Sequence, residues 1–66
     1  MFLQINGEER SFEGVANIAD LVTALGLDSR KLAVERNLEI VPRSVYAATP
    51  LASGDRIEIV AFIGGG

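Results

Sequence analysis

The fold of this chain is decided by residues 17–26, which read NIADLVTALG. Four apolar side chains recur there at the i, i+3, i+4 and i+7 positions that share one helical face: Ile18, Leu21, Val22 and Leu25. Asn17 is a suitable N-cap, Asp20 stands at the capping-box position, and Gly26 can end the helix in the left-handed conformation. This segment predicts one short helix with its apolar face in the core.

The residues before the helix predict a β-hairpin. Leu3 and Ile5 alternate with polar residues at the period of two that is typical of a half-buried strand. The Asn6-Gly7 pair that follows is the strongest short hairpin signal, because both central residues of such a turn need a positive φ. A second strand is therefore expected at about residues 9–12.

After the helix, alternating and β-branched residues predict further strands at residues 32–37, 40–41 and 57–63. Pro42 ends the short middle strand because it has no N–H for the ladder. Residues 43–48 predict a single loose helical turn. The last strand is the clearest of the sequence and is apolar on both faces towards its end.

One helix and four or five strands are too few for a sandwich but sufficient for a mixed sheet covered on one face. The first strand can lie parallel to the last at the centre of the sheet, with the helix in the crossover connection. The expected fold class is α+β, a ubiquitin-like β-grasp. We expect one domain over residues 1–63 and a flexible glycine tail at residues 64–66.

The composition removes most catalytic chemistry. The chain of 66 residues has no cysteine and no histidine, which excludes disulfides, the usual zinc sites, thiol nucleophiles and imidazole acid–base catalysis. The three glutamates around the first hairpin, Glu8, Glu9 and Glu13, are expected to be solvated surface. We expect no bound metal or cofactor and no catalysis by the chain itself.

Charge and hydropathy set expectations for location and partners. No apolar run approaches the roughly 18 residues of a membrane span, and the amino terminus lacks a secretory pattern, so a cytoplasmic protein is expected. The net charge of -3 disfavours nucleic acids and anionic membranes. A protein partner with a basic surface is the expected kind of ligand.

The final Gly64-Gly65-Gly66 is the one feature that the composition does not predict. It is explained either by a flexible tail or expression scar, or by a reactive carboxyl terminus. Glycine lets a chain thread a narrow channel and leaves the terminal carbonyl unshielded on both faces. A carboxylate is a poor electrophile, so another enzyme has to activate it, for example by transfer of AMP from ATP before a sulfur nucleophile attacks.

An exposed docking surface is expected beside this tail. If Ile57 and Ile59 face the helix, then Val60 and Phe62 point to the uncovered side of the sheet, and Phe2 extends the same face. An exposed apolar patch of this kind marks a protein interface. The alternative is that a bulge or a slipped register buries Phe62.

Four segments together resemble the ThiS family, the sulfur carrier proteins of thiamine biosynthesis: INGE at 5–8, LAVERN at 32–37, IVPRS at 40–44, and SGDRIEIV at 53–60 with the terminal glycines. The resemblance covers the whole chain. It implies adenylation by an ATP-dependent adenylyltransferase related to ubiquitin-activating enzymes. It further implies conversion to a thiocarboxylate with sulfur from a donor protein, and delivery of that sulfur to thiazole synthase.

Carried onto this sequence, the resemblance makes Gly66 the site of the adenylate and the thiocarboxylate. Gly64 and Gly65 are presented to the partner active sites, and ATP is consumed by the activating partner. Two alternatives stay open. One is a sulfur carrier for another pathway, such as molybdopterin synthesis. The other is a ubiquitin-like modifier that acts by non-covalent docking or by conjugation to lysines.

Overall fold

The computed structural model of this protein describes residues 1–62. The elements in chain order are β1 (Phe2–Ile5), β2 (Glu8–Ser11), α1 (Ile18–Ala24), β3 (Leu32–Arg36), β4 (Glu39–Val41) and β5 (Arg56–Ala61). Two short 3-10 helices lie at Ser29–Lys31 and Arg43–Ala48. The expected domain boundary after residue 63 and the expected flexible tail at residues 64–66 lie outside the described residues.

The strands form one mixed five-stranded sheet in the order β2-β1-β5-β3-β4. The last strand, β5, occupies the centre, where it runs parallel to β1 and antiparallel to β3. The chain crosses from β2 to β3 through α1, and β5 fills the place between β1 and β3. The first and last strands are therefore neighbours. This arrangement confirms the predicted ubiquitin-like β-grasp.

The core lies between α1 and one face of the sheet. The helix contributes three of the four predicted residues as buried side chains, and Leu25 is only partly buried at its end. The sheet contributes alternate residues of β1, β3 and β5, which confirms the predicted period of two. The buried apolar residues are Leu3, Ile5, Ile18, Leu21, Val22, Leu32, Val34, Val41, Tyr46, Leu51 and Ile57.

Both ends of the helix are closed by hydrogen bonds. The side chain of Asn17 accepts a bond from the amide of Asp20 at 2.8 Å, as an N-cap should. The carboxylate of Asp20 accepts from the amide of Ala16 at 2.9 Å, so the predicted capping box is displaced by one residue. Gly26 has a φ of 70° and donates to the carbonyl of Thr23, which ends the helix in a Schellman motif as expected.

Two hairpins of the sheet use the same two-residue turn. Asn6 and Gly7 have φ values of 51° and 83°, and the second strand consequently begins at Glu8, one residue earlier than expected. Asn37 and Leu38 have φ values of 51° and 71° between β3 and β4. Leu38 therefore occupies a left-handed conformation that favours glycine, with 71% of its surface exposed.

The predicted loose turn at residues 43–48 is a continuous 3-10 helix that packs against α1. Its central residue, Tyr46, is buried in the core. Burial raises the pKa of the Tyr46 hydroxyl above its usual value, against a weaker opposing effect of Arg43. This segment is thus part of the packed domain.

Candidate functional site

The candidate site is built on β5, because in the sequence only Phe62 and Ile63 separate the end of this strand from the final glycines. The neighbouring strands β1 and β3 pair with β5 over different lengths. The register with β3 runs from Ile57 to Ala61 and continues as a bond of 2.7 Å from the Phe62 amide to the Lys31 carbonyl. The register with β1 ends at Ile57. The end of β5 is therefore held mainly from the β3 side.

On the β1 side, the side chain of Asn6 continues the hydrogen bonding to β5 beyond the last register pair. Its amide nitrogen donates to the carbonyl of Ile59 at 3.2 Å, and its oxygen accepts from the amide of Ile59 at 2.7 Å. Asn37 does the equivalent from the opposite side: its oxygen accepts from the amide of Arg56 at 2.9 Å. The two turn asparagines thus hold β5 from both edges.

The turn before β5 is organised by the carboxylate of Asp55. It accepts hydrogen bonds from the Ala52 amide at 2.8 Å, the Arg36 side chain at 2.9 Å and the Asn37 side chain at 3.1 Å. Burial alone would raise the pKa of Asp55. The bonds from Ala52, Asn37 and Arg36 outweigh that effect and hold the pKa below its usual value of 3.8. Asp55 is therefore charged at neutral pH and fixes the start of the strand.

The sequence predicts a hairpin at Asn6, but it indicates no contact with β5 for Asn6, Asn37 or Asp55. The additional roles arise from contacts across 18 to 53 positions of sequence. The signal that does exist in the sequence is the residue type. Asn in both turns supplies a donor and an acceptor on one side chain, which Gly or Asp at the same positions would not.

The uncovered face of the sheet carries the predicted docking residues. Val60 and Phe62 are 62% and 56% exposed, and the register of β5 with β3 continues without a bulge. The alternative in which Phe62 is buried is therefore wrong. Their role in docking, like that of Phe2, stays a prediction.

Phe2 shares this face but lies at its opposite end. It is 55% exposed, and because Gln4 pairs with Arg56 in the parallel register, Phe2 is level with Gly54. Eight residues of strand separate that position from Phe62, which corresponds to roughly 26 Å. The structure therefore brings Val60 and Phe62 together and does not bring Phe2 to them.

Two apolar residues that sequence reasoning did not select complete the patch. Ala33 is directly opposite Val60, and Ile40 on the neighbouring β4 is 77% exposed. We call these four residues, Ala33, Ile40, Val60 and Phe62, the apolar patch. The alternation of faces along β4 is the sequence signal for Ile40: because Val41 faces the core, its neighbour Ile40 faces the open side of the sheet.

The remaining sequence candidates behave as surface. Glu8, Glu9 and Glu13 are exposed, and residues 1–62 contain no group of three or more acidic side chains placed to hold a metal ion. None of the helices in this described part of the chain is long and apolar enough to cross a membrane. Gly64, Gly65 and Gly66 lie outside the described residues.

Comparisons with known proteins agree with this architecture. The model of the ThiS family matches residues 3–66. The sulfur carrier protein ThiS of Bacillus subtilis is 38% identical over 65 residues, which are 97% of this chain and 98% of that protein. The crystal structure of the thiamine biosynthesis protein ThiS from Geobacter metallireducens superposes with a TM-score of 0.85 at 33% identity, over 100% of both chains.

A longer relative shares more of the sequence. A thiazole synthase of Paramagnetospirillum magneticum is 61% identical over 66 residues, which are 100% of this chain but 20% of that protein. The chain thus spans about a fifth of the length of this relative.

Proposed function

This chain belongs to the ThiS family, and on that premise we propose that it is a sulfur carrier whose Gly66 carboxyl group transports sulfur for the thiazole ring of thiamine. The observation that carries the proposal is the family match through residue 66, which includes the three glycines after β5. The similarity to a thiazole synthase supports thiazole synthase as the recipient of the sulfur.

The proposed chemistry takes place in partner enzymes. An oxygen of the Gly66 carboxylate attacks the α-phosphorus of ATP, and pyrophosphate leaves. The outer sulfur of a persulfide on a donor protein then attacks the carbonyl carbon, and AMP leaves with the electrons of the broken C–O bond. A thiol reductant supplies the two electrons that cleave the resulting S–S bond, which frees the donor as a thiol and leaves the thiocarboxylate on Gly66. The chain itself supplies a carboxyl group and a rigid strand that presents it, which agrees with the absence of cysteine and histidine from the sequence. No cofactor of its own takes part.

The fold supports this role through the position of β5. The strand is central, and contacts from Asn6, Asn37 and Asp55 fix its start and middle. A partner that receives the final residues therefore meets a strand with a defined direction. The apolar patch on the open face lies beside the same end of the strand and gives that partner a surface to bind.

The test is mass spectrometry after incubation with ATP, a ThiS-activating adenylyltransferase and a sulfur source. Exchange of one oxygen for sulfur adds about 16 mass units, which oxidation of Met1 also adds. A thiol-directed alkylating reagent separates the two products, because the chain has no cysteine to react with it. We expect an ATP-dependent, alkylatable gain on the fragment that contains Gly66.

Two matched variants are the controls. Deletion of Gly66 and addition of one alanine after it should each abolish the gain, while the fold stays intact because residues 1–62 are unchanged. Absence of the gain with an enzyme that is active on another carrier would contradict the proposal. It would favour a modifier that acts by docking, which should bind its partner equally well without the last two glycines.

A further inference from the structure

The first hairpin turn contains a chemically labile pair of residues, Asn6 and Gly7. The side-chain carbon of an asparagine amide can be attacked by the main-chain nitrogen of the next residue, and a glycine at that position has no Cβ to obstruct the approach. Both residues are exposed here, and a Cβ at Gly7 would meet no atom within 4 Å. Water and dissolved base therefore reach the turn freely.

The other asparagines of the chain provide an internal comparison. Asn37 has the same φ of 51° and is also exposed, but the branched side chain of Leu38 follows it and obstructs the same attack. Asn17 precedes Ile18, which is branched at Cβ. Of the three asparagines in the sequence, Asn6 alone has an unobstructed neighbour.

The fold holds the Asn6 side chain away from this reaction. Its oxygen accepts from the Ile59 amide at 2.7 Å and its nitrogen donates to the Ile59 carbonyl at 3.2 Å, so one edge of the flat carboxamide lies along β5. The main-chain nitrogen of Asn6 is held as well, by a bond of 2.9 Å to the carbonyl of Ile57. Attack comes at the flat face of the carboxamide, and the rotation that turns this face to the Gly7 nitrogen breaks both bonds to Ile59. Local opening of the sheet is therefore required before the reaction.

We propose that Asn6 is a site of spontaneous deamidation, that the folded domain suppresses the reaction through the two bonds to Ile59, and that the product loosens the end of β5. The Gly7 nitrogen loses its proton to a base in solution and forms a bond to Cγ of Asn6. The Cγ–Nδ2 bond breaks, and ammonia leaves with a proton taken from water. Water then adds to either carbonyl of the succinimide ring and opens it to aspartate or isoaspartate. Over the two steps one water is consumed and one ammonia is released.

Either product disrupts the contact with β5. In aspartate, the group that donated to the Ile59 carbonyl is replaced by a carboxylate oxygen, which can only accept. Two acceptors, one of them charged at neutral pH, then face each other where a bond of 3.2 Å had been. Isoaspartate in addition inserts one methylene into the main chain of a two-residue turn that sets Ile5 opposite Glu8.

The first test measures the rate of deamidation at each asparagine in the full chain. The chain is kept at mildly alkaline pH, either folded or in guanidinium chloride, and is then digested with trypsin. Cleavage after arginine places the three asparagines on different peptides, residues 1–10, 11–30 and 37–43. Either product adds about one mass unit, and fragment ions assign it to Asn6 or to Gln4. A sample digested without incubation corrects for conversion during cleavage.

We expect conversion of Asn6 to be at least about tenfold slower in the folded chain than in the unfolded chain, because two hydrogen bonds have to open first. The peptides that contain Asn17 and Asn37 should stay unchanged over the same time. In the variant Leu38→Gly, Asn37 acquires the same neighbour as Asn6. Unfolded, this variant should convert both residues at similar rates.

The second test measures the consequence for the strand. Asn6→Asp reproduces one product, and we expect amide exchange at Ile59 to accelerate about tenfold or more. The matched control is Gln4→Glu, which makes the same change from amide to carboxylate on the exposed side of β1. It should leave the exchange rate at Ile59 within about twofold of the wild type.

Three results would overturn the inference. The first is a folded chain that converts Asn6 as fast as the unfolded chain, because the bonds to Ile59 then give no protection. The second is an unfolded chain in which Asn6 reacts no faster than Asn37. The third is an Asn6→Asp chain with the wild-type exchange rate at Ile59. The reaction needs neither ATP nor a partner, so none of these results bears on sulfur transfer, and a failure of sulfur transfer leaves the deamidation unaffected.

Discussion

The side chain of Asn6 pairs with both the amide and the carbonyl of Ile59, at 2.7 and 3.2 Å, and so takes the place of a backbone residue at the end of β1. The same residue forms the turn to β2, where its φ of 51° matches the requirement of the hairpin. A single asparagine thereby sets the hairpin and holds the strand that leads to the glycines.

Replacement of Asn6 by glycine separates these two roles. Glycine also adopts a positive φ, so the turn should persist, but both bonds to Ile59 are lost. We expect the free energy of unfolding in urea to fall by about 1–2 kcal/mol. Amide exchange should accelerate at Ile59 and stay unchanged at Val34, in the core of β3; equal protection of Ile59 in the variant and the wild type would contradict the proposed role.

In the turn between β3 and β4, replacement of Leu38 should increase stability instead of lowering it. Its φ of 71° is unfavourable for a side chain, and most of its surface is exposed, so little burial is lost when the side chain is removed. We expect Leu38→Gly to raise the free energy of unfolding by about 0.5–1 kcal/mol, because relief of the left-handed backbone, about 1–2 kcal/mol, exceeds the entropy cost of fixing glycine, about 0.5–1 kcal/mol.

The matched control is Gly7→Ala at the corresponding position of the first hairpin. Gly7 has a φ of 83°, and a Cβ there would meet no atom within 4 Å, so any effect is one of backbone conformation. This variant should lose about 1 kcal/mol. A loss of stability in Leu38→Gly would instead show that the leucine side chain makes contacts that matter for the fold.

The lowered pKa of Asp55 predicts that the free energy of unfolding falls in acid. Its pKa in the folded chain lies below the unfolded value of about 3.9, so the carboxylate contributes stability at and above that value. The contribution is lost as the pH falls from about 5 through the folded pKa. We expect Asp55→Asn to cost about 1–3 kcal/mol at pH 7 and to flatten the decline of unfolding free energy below pH 5.

Asp28 is the control for this titration. Hydrogen bonds from Arg30 lower its pKa to about 2, so Asp28 is linked to pH in the same direction, but water screens this exposed ion pair and leaves it little net stabilising energy. Asp28→Asn should leave most of the wild-type decline between pH 5 and 3.5 in place. An identical pH profile for wild type and Asp55→Asn would refute the assignment of that decline to Asp55.

Phe62 and Phe2, the two exposed phenylalanines of the open face, allow a matched test of the predicted docking surface. We expect Phe62→Ala to raise the Kd for the adenylyltransferase about tenfold, because an aromatic residue at the centre of an interface often contributes most of the binding energy. Phe2→Ala removes the same side chain from the far end of the face and should change the Kd less than twofold. Equal effects of the two substitutions would place the contact elsewhere.

Local patterns were sufficient to predict much of the fold. The apolar spacing around Leu21, the Asn6-Gly7 turn and the alternation in β5 each report a conformation that neighbouring residues determine. The crossover rule then leaves few arrangements of the strands. The central position of β5 follows from these elements together.

The features that sequence could not predict depend on distances along the chain or across the sheet. The buried Tyr46 lies in a six-residue 3-10 helix, which is too short to display a period. The parity of Phe2 indicates its face, but only the register of β1 with β5 shows how far it lies from Phe62. The bonds of Asn6 to Ile59 likewise join residues that are 53 positions apart in sequence.

The central place of β5 has a consequence for the order of synthesis on the ribosome. The hairpin of β1 with β2 and the hairpin of β3 with β4 are not paired to each other; β5 alone joins them. Neither half can close into the complete sheet until β5 has been translated. In the sequence the glycines begin three positions after the last residue of β5, so a chain that offers them to a partner from a fully paired β5 has already completed its domain.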